Sequence, residues 1–361
     1  MRLRMTGKIK NILHRTRYIL MSSMLAAVTL MPLAVSPSLA SASPTINEYP
    51  LNSGHAGPTA MVAAGGLMWY LNSTTSLSSI SPSGVSTDYS ILPTGETGAN
   101  LNVQRNALAA DASGNVWFAG CDYNSTPGVM LYGYVNAYTG MQATFKNTSE
   151  LCAFSINTVA IGQPVVDAAG NIWIDMLSSY THASSLAQFN ASGVQISGWS
   201  LTGGTQQWKS IVAGPNNSLW AVDSHNNKID QLTLSPTTDK ITGQTVYSPT
   251  GVPGNITVGP DGNLWFTESG NAIASMTPTG VFTYFGLPSG SQADYLTNGP
   301  DNAVWFTDST TNSVGRISIA GNVTEYPITT TSASPMGITM GPDNALWFTE
   351  SAMSKIGRVG Y

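Results

Sequence analysis

Four carboxylates recur three residues after a tryptophan in successive stretches of the chain: Asp223, Glu268, Asp308 and Glu350. If those stretches share one rim, four like charges repel unless they are hydrogen-bonded, protonated or bridged by a cation. Hard oxygen ligands of this kind suit Mg²⁺ or Ca²⁺, so the four form a candidate metal crown. The plainer alternative is a set of solvated loop acids copied along with a repeat. Histidine is scarce. His14 sits in the basic amino terminus, leaving His55, His182 and His225. His225 follows Asp223 by two residues, where an imidazole can act as general acid or base, with an exposed loop histidine as the alternative. Arg105, Trp208, Lys209 and Tyr295, with Asn106 and Asp294, fall in connections that should open on the same rim. Trp208 beside Lys209 offers aromatic surface with one charge, a compact way to hold a ligand. Packing between structural units explains Trp208 equally well.

Those residues are carried by repeats. The clearest copies are Gly259-Pro-Asp-Gly-Asn-Leu-Trp265-Phe-Thr-Glu268, Gly299-Pro-Asp-Asn-Ala-Val-Trp305-Phe-Thr-Asp308 and Gly341-Pro-Asp-Asn-Ala-Leu-Trp347-Phe-Thr-Glu350. Fainter copies place Trp69, Trp117, Trp173 and Trp220 after similar turns, and the spacing between tryptophans runs from 40 to 56 residues. That period suits a blade of four short strands. Pro, Asp, Asn and Gly give a tight turn between strands a and b, and Leu-Trp-Phe-Thr forms strand b. Strand c follows at Lys228–Leu232, Ala272–Met276, Ser313–Ile317 and Lys355–Val359. The fold class predicted is all-β, a seven-bladed β-propeller.

The seventh copy stops after its strand c. Residues 46–51, Ile-Asn-Glu-Tyr-Pro-Leu, nearly repeat residues 323–328, Val-Thr-Glu-Tyr-Pro-Ile, the outer strand of the sixth repeat. The amino-terminal strand is therefore expected to complete the last blade, because otherwise both termini leave raw sheet edges. In an antiparallel blade the end of strand b and the loop from d to the next a share one face. The four acids, the three histidines and the connection residues are thus expected at one mouth of the central channel.

Residues 1–42 read as a secretory signal: six basic residues in the first seventeen, an apolar run over 18–35, then small residues allowing cleavage after Ala40 or Ala42. An uncleaved membrane anchor is the alternative. The propeller domain is then 43–361, extracellular, monomeric and off the membrane once cleaved. It carries 8 basic against 19 acidic residues, net −11, which argues against nucleic acid as a partner. The two cysteines, Cys121 and Cys152, both lie in the exported part, and an oxidising compartment favours pairing them. By strand count, Cys121 lies just after strand b of the second repeat and Cys152 in the loop leading to the third. There is no P-loop, G-x-S-x-G or H-E-x-x-H.

The phrase Gly-Pro-Asp-Gly-Asn-Leu-Trp-Phe-Thr-Glu, followed by Lys355-Ile-Gly-Arg-Val and strands like Val323-Thr-Glu-Tyr-Pro-Ile, resembles the virginiamycin B lyase family; it is also similar to NHL and gluconolactonase-type propellers. The resemblance implies a metal-dependent carbon–oxygen lyase that opens a cyclic depsipeptide by elimination. A base removes the proton α to a carbonyl that a cation polarises. It also implies that histidines and an acid after Trp-Phe-Thr do this work. Glu268 matches the acid. No histidine follows residue 225, and only Asp223-x-His225 keeps an acid-x-His pattern. The catalytic pair implied is His225 and Glu268. Two classes stay open: a lyase at the acidic mouth, and a non-catalytic secreted propeller binding a small molecule, peptide, glycan or protein there.

Overall fold

The structure is a computed structural model, and it describes residues 43–361 except 52–56, 74–75, 93–100, 123–127, 153–162, 178–183, 201–205 and 361. The signal-like segment 1–42, His55 and His182 lie outside the described residues. Twenty-eight strands form seven four-stranded antiparallel sheets, each running a-b-c-d in chain order but one. The exception closes the ring. Thr45–Pro50 pairs with Lys355–Gly360, with Ile46 opposite Val359 and Pro50 opposite Lys355, so the first strand is the outer strand of the seventh blade.

Each repeat tryptophan lies in strand b, and all seven are essentially without exposure. An indole buried this deeply needs a partner for its N–H, and the turn supplies one. In five blades the turn aspartate takes it: Asp111, Asp167, Asp261, Asp301 and Asp343 accept from Trp117, Trp173, Trp265, Trp305 and Trp347 at 2.8–2.9 Å. Where the turn lacks Asp, a carbonyl substitutes: Ala64 for Trp69 and Pro215 for Trp220. Arg316 and Arg358 reach back from strand c to Asp301 and Asp343 at 2.5 and 2.7 Å. Burial alone would raise both carboxyls, but the indole and the guanidinium outweigh it and hold them low. Beyond shaping the turn, these aspartates fix the core tryptophan through their side chains.

Blades interlock at their outer turns. Gly280 adopts φ +91°, and a Cβ there would sit 2.5 Å from the ring of Tyr247 in the preceding blade. Four of the tryptophans meet an aromatic on the outer strand of their own blade, Trp69 on Tyr89, Trp220 on Tyr247, Trp265 on Phe285 and Trp305 on Tyr326. Trp347 stacks on Tyr49 at 5.6 Å, so the amino-terminal strand gives the seventh blade the aromatic that strand d gives those four.

The seam is held by charge as well as by the ladder. Glu48 accepts from Thr329 Oγ1 at 2.6 Å, Thr330 N at 2.9 Å and the Thr330 hydroxyl, and it pairs with Lys355 Nζ at 3.0 Å. Burial pushes its carboxyl up, but these donors more than compensate and hold it at about 2.

Cys121, on strand b of the second blade, is disulfide-bonded, and the chain's other cysteine is Cys152. Cys152 is the last residue of strand d, Gln142–Cys152, not a loop residue as the strand count suggested, because that strand runs to eleven residues. Arg105 and Asn106 likewise lie inside strand a, Leu101–Ala110, at an irregularity between Val103 and Leu108, rather than in a connection.

Two outcomes follow. Glu48→Ala should cost about 2 kcal/mol, the scale of charge-assisted hydrogen bonds lost at a partly buried site, read by denaturant unfolding. Because the folded carboxyl is lowered from 4.5 to about 2, its contribution is complete above the unfolded value and fades as pH falls between them. Glu48→Gln should flatten that part of the acid limb. Gly280→Ala should lower the melting temperature, since the change strains a positive φ and strikes Tyr247.

Candidate functional site

The four acids do end their strands b, and all are buried. Three of them accept N–H groups of the neighbouring backbone, three each at Asp223 and Asp308 and one at Glu268. Asp223 Oδ1 accepts the N–H groups of Gln207, His225 and Asn226 at 3.1–3.2 Å, and Oδ2 accepts Asn226 Nδ2 at 2.7 Å. Asp308 accepts Gln292, Thr310 and Thr311 N–H at 2.8–2.9 Å. Glu268 accepts Gly251 N–H at 2.6 Å. The following serine completes the pattern: Ser224, Ser269 and Ser351 bond to Gln207, Val252 and Ser334 in the loop that arrives from the previous blade. These carboxylates tie the b–c turn to the d–a loop. They are neither a solvated rim nor a shared cage.

Glu350 departs from its own repeat. Neither of its oxygens is hydrogen-bonded, although the side chain is fully buried. Burial and then the charge of Glu48 push it up to about 7, with the charge of Lys355 offsetting only part. Across the ladder it faces Lys355. It therefore belongs to the closure seam.

Among the described residues no three histidine, cysteine, aspartate or glutamate side chains gather as a metal would need. At Asp223 and Asp308 the donor chemistry agrees, since carboxylates bonded to three N–H groups have little left to offer Mg²⁺ or Ca²⁺. Held apart in separate turns, the four acids do not assemble the crown expected from their recurrence.

His225 is exposed in the b–c turn, its backbone N–H bound to Asp223. Trp208 is 3% exposed, stacked on Trp199 at 6.0 Å, with its indole N–H on Asp230 at 2.8 Å. It sits in the packed layer between blades, while Lys209 next to it is exposed. Two further acids near Trp208 are buried: Asp230, raised by burial, and Asp175, raised well above its usual range. Ser184 connects them, with its hydroxyl near Asp175 at 3.4 Å and its oxygen accepting Trp208 N–H at 3.0 Å.

The inner strands surround a central cavity of about 220 Å³. Ser210, Asn255, Tyr295, Thr297 and Thr339 line it among Val212, Ile256, Leu296 and Ile338. Among the described residues, Tyr295 is the sequence-flagged binding residue placed on the cavity wall, and the lining includes no Asp, Glu, His, Lys or Arg. Sequence reasoning missed it because inner strands carry no motif, only short apolar and hydroxyl residues.

Asp308→Ala should destabilise by about 3 kcal/mol, because three backbone donors lose their acceptor in a buried turn. Millimolar Mg²⁺ or Ca²⁺ should leave the melting temperature of the unaltered chain where it was. A saturable rise that Asp308→Asn abolishes would return the carboxylate to a cation.

Comparison with known proteins agrees with this architecture. No curated protein matches the sequence significantly. A streptogramin B lyase structure is 25% identical, with a TM-score of 0.67 over 88% of this chain and 97% of that one. A catalytically inactive virginiamycin B lyase from Staphylococcus aureus, solved with quinupristin, is 24% identical with a TM-score of 0.69, over 88% and 100%. The extracellular domain of a B. thetaiotaomicron one-component system is 14% identical with a TM-score of 0.61, covering 88% of this chain and 42% of that one, a likeness of fold alone. The sequence profile described as the virginiamycin B lyase family matches residues 159–361, more than half of the chain and all of the best-formed blades; the chain belongs to that family.

Proposed function

We propose that this chain is a ligand-binding propeller of the virginiamycin B lyase family, exported by its amino-terminal segment, acting as a monomer, and holding an uncharged peptide-like small molecule at its channel. The observation that carries this reading is the cavity lining: amide and hydroxyl groups among aliphatic side chains, with no formal charge among the described residues. Such a wall offers hydrogen bonds to ester and amide groups and apolar contact to the rest of a small ligand. It offers an incoming ionic group no counter-charge, so desolvation disfavours one. A structural relative solved with quinupristin makes a cyclic depsipeptide the first ligand to try.

The commitment of Asp223, Glu268 and Asp308 to backbone donors supports binding without turnover. Elimination needs a base free to take a proton and a charge to stabilise the developing enolate. Glu268 is bonded to Gly251 N–H, which lowers its reach as a base. Family membership favours a second reading, a carbon–oxygen lyase using His225, an exposed histidine in the turn that follows Asp223.

One experiment separates the readings. The protein is incubated with quinupristin, with and without Mg²⁺, and followed by calorimetry and by liquid chromatography with mass detection. Elimination breaks the ester C–O bond and leaves an alkene and a carboxylate, so the product keeps the ligand's mass but elutes differently. The binding reading predicts saturable heat and intact ligand. A linear isomer, lost in His225→Ala, would establish the lyase reading, and no heat with no product would exclude this ligand class.

A further inference from the structure

Glu268 and Glu350 stand at the same position of the same phrase, Leu-Trp-Phe-Thr-Glu-Ser, yet their surroundings differ. In the fifth blade the d–a loop presents Gly251 N–H to the carboxylate at 2.6 Å. In the seventh blade the outer strand comes from the other end of the chain and brings Glu48 with it. Glu48 occupies the donors of the seam: Thr329 and Thr330 hydroxyls, Thr330 N–H and Lys355 Nζ. The Thr330 hydroxyl gives its one proton to Glu48 and accepts from Lys355 at 2.6 Å, so it has none for Glu350. Glu350 is left fully buried, unbonded and beside a second carboxylate.

We propose that the seam closing the ring is a pH-responsive clasp, in which Glu350 must carry a proton for the amino-terminal strand to dock most tightly. Among the described residues, the charged groups acting on Glu350 are Glu48 from the first strand and Lys355 from strand c. Pro335, opposite it on strand a, adds none. With Glu350 neutral, one anion and one cation balance. Once it ionises, a second anion is buried without donors, and release of residues 45–50 relieves it by letting in water. Glu48, held at about 2, keeps its charge through this range and does not contribute to the response.

The sign follows from linkage. The closed seam holds Glu350 at about 7, against 4.5 for the solvated group. The closed state therefore binds the proton more tightly, and raising pH between these values favours opening, by up to about 300-fold in the opening equilibrium. Above about 7 the effect is complete.

Amide hydrogen exchange on the full chain, corrected for the intrinsic effect of pH, tests this. Protection of residues 45–50 and 355–360 should fall at least tenfold between about pH 5 and about pH 8. The outer strand of the fifth blade, Phe282–Gly286, should not change in parallel. Glu350→Gln, which fixes the neutral shape, should keep the seam protected at both pH values. Equal protection across the range in the unaltered protein, or an unchanged response in Glu350→Gln, overturns the clasp. If that variant does not fold, carboxyl carbon NMR of the unaltered protein decides: one glutamate titrating near pH 7 is expected, and all glutamates titrating below about 5.5 overturns it.

Discussion

A ring of sheets has one edge that the chain cannot cover by running forward. Six blades of this protein finish themselves in order, and the seventh lacks its outer strand until residues 45–50 return to it. Many other contacts of the fold are local and repeated: indole to turn aspartate, glycine turn to neighbouring aromatic, acid to arriving loop. The closing contact joins residues about 300 positions apart, so its loop-closure entropy is the largest in the molecule. This seam adds a partly buried ion pair and two threonines to the backbone ladder. Unpaired, Lys355–Gly360 would be an open template for another strand.

Much of this was legible because repeats are compared with themselves. Seven tryptophans gave the blade count, and the near-identity of residues 46–51 and 323–328 gave the closure, down to the register that stacks Tyr49 on Trp347 as Tyr326 stacks on Trp305. The site was less legible. Recurrence of a carboxylate three residues after Trp was a true pattern, but spacing does not say which atoms occupy its oxygens. Asp308 is filled by three N–H groups that come from two different segments. Trp208 shows the same limit, since an aromatic next to lysine reads alike whether it faces a ligand or the next blade. Arg105 was placed in a connection because the second blade's inner strand is ten residues long, well beyond the others' norm.

The contrast between Glu268 and Glu350 carries the more general point. Identical local sequence gives a bonded carboxylate in one blade and an unbonded one in another, because the donors around it are used differently: Ala333 N–H, which stands where Gly251 does, goes to Asn312, and Thr330 goes to Glu48. A repeat fixes where a group stands; its non-repeating neighbours fix its chemistry. The neutral channel is the counterpart. Its lining comes from inner strands of several blades, none with a motif, and it becomes a feature only once the ring is shut.

The central claim is that the first strand completes and holds the ring, and it is most directly tested by taking that strand away. A chain beginning at Gly57 should melt well below the unaltered protein, and a synthetic peptide of residues 43–51 should restore the loss saturably. The same peptide with Glu48→Gln should restore it less well. A shortened chain that melts with the unaltered protein, or that ignores the peptide, would contradict the account.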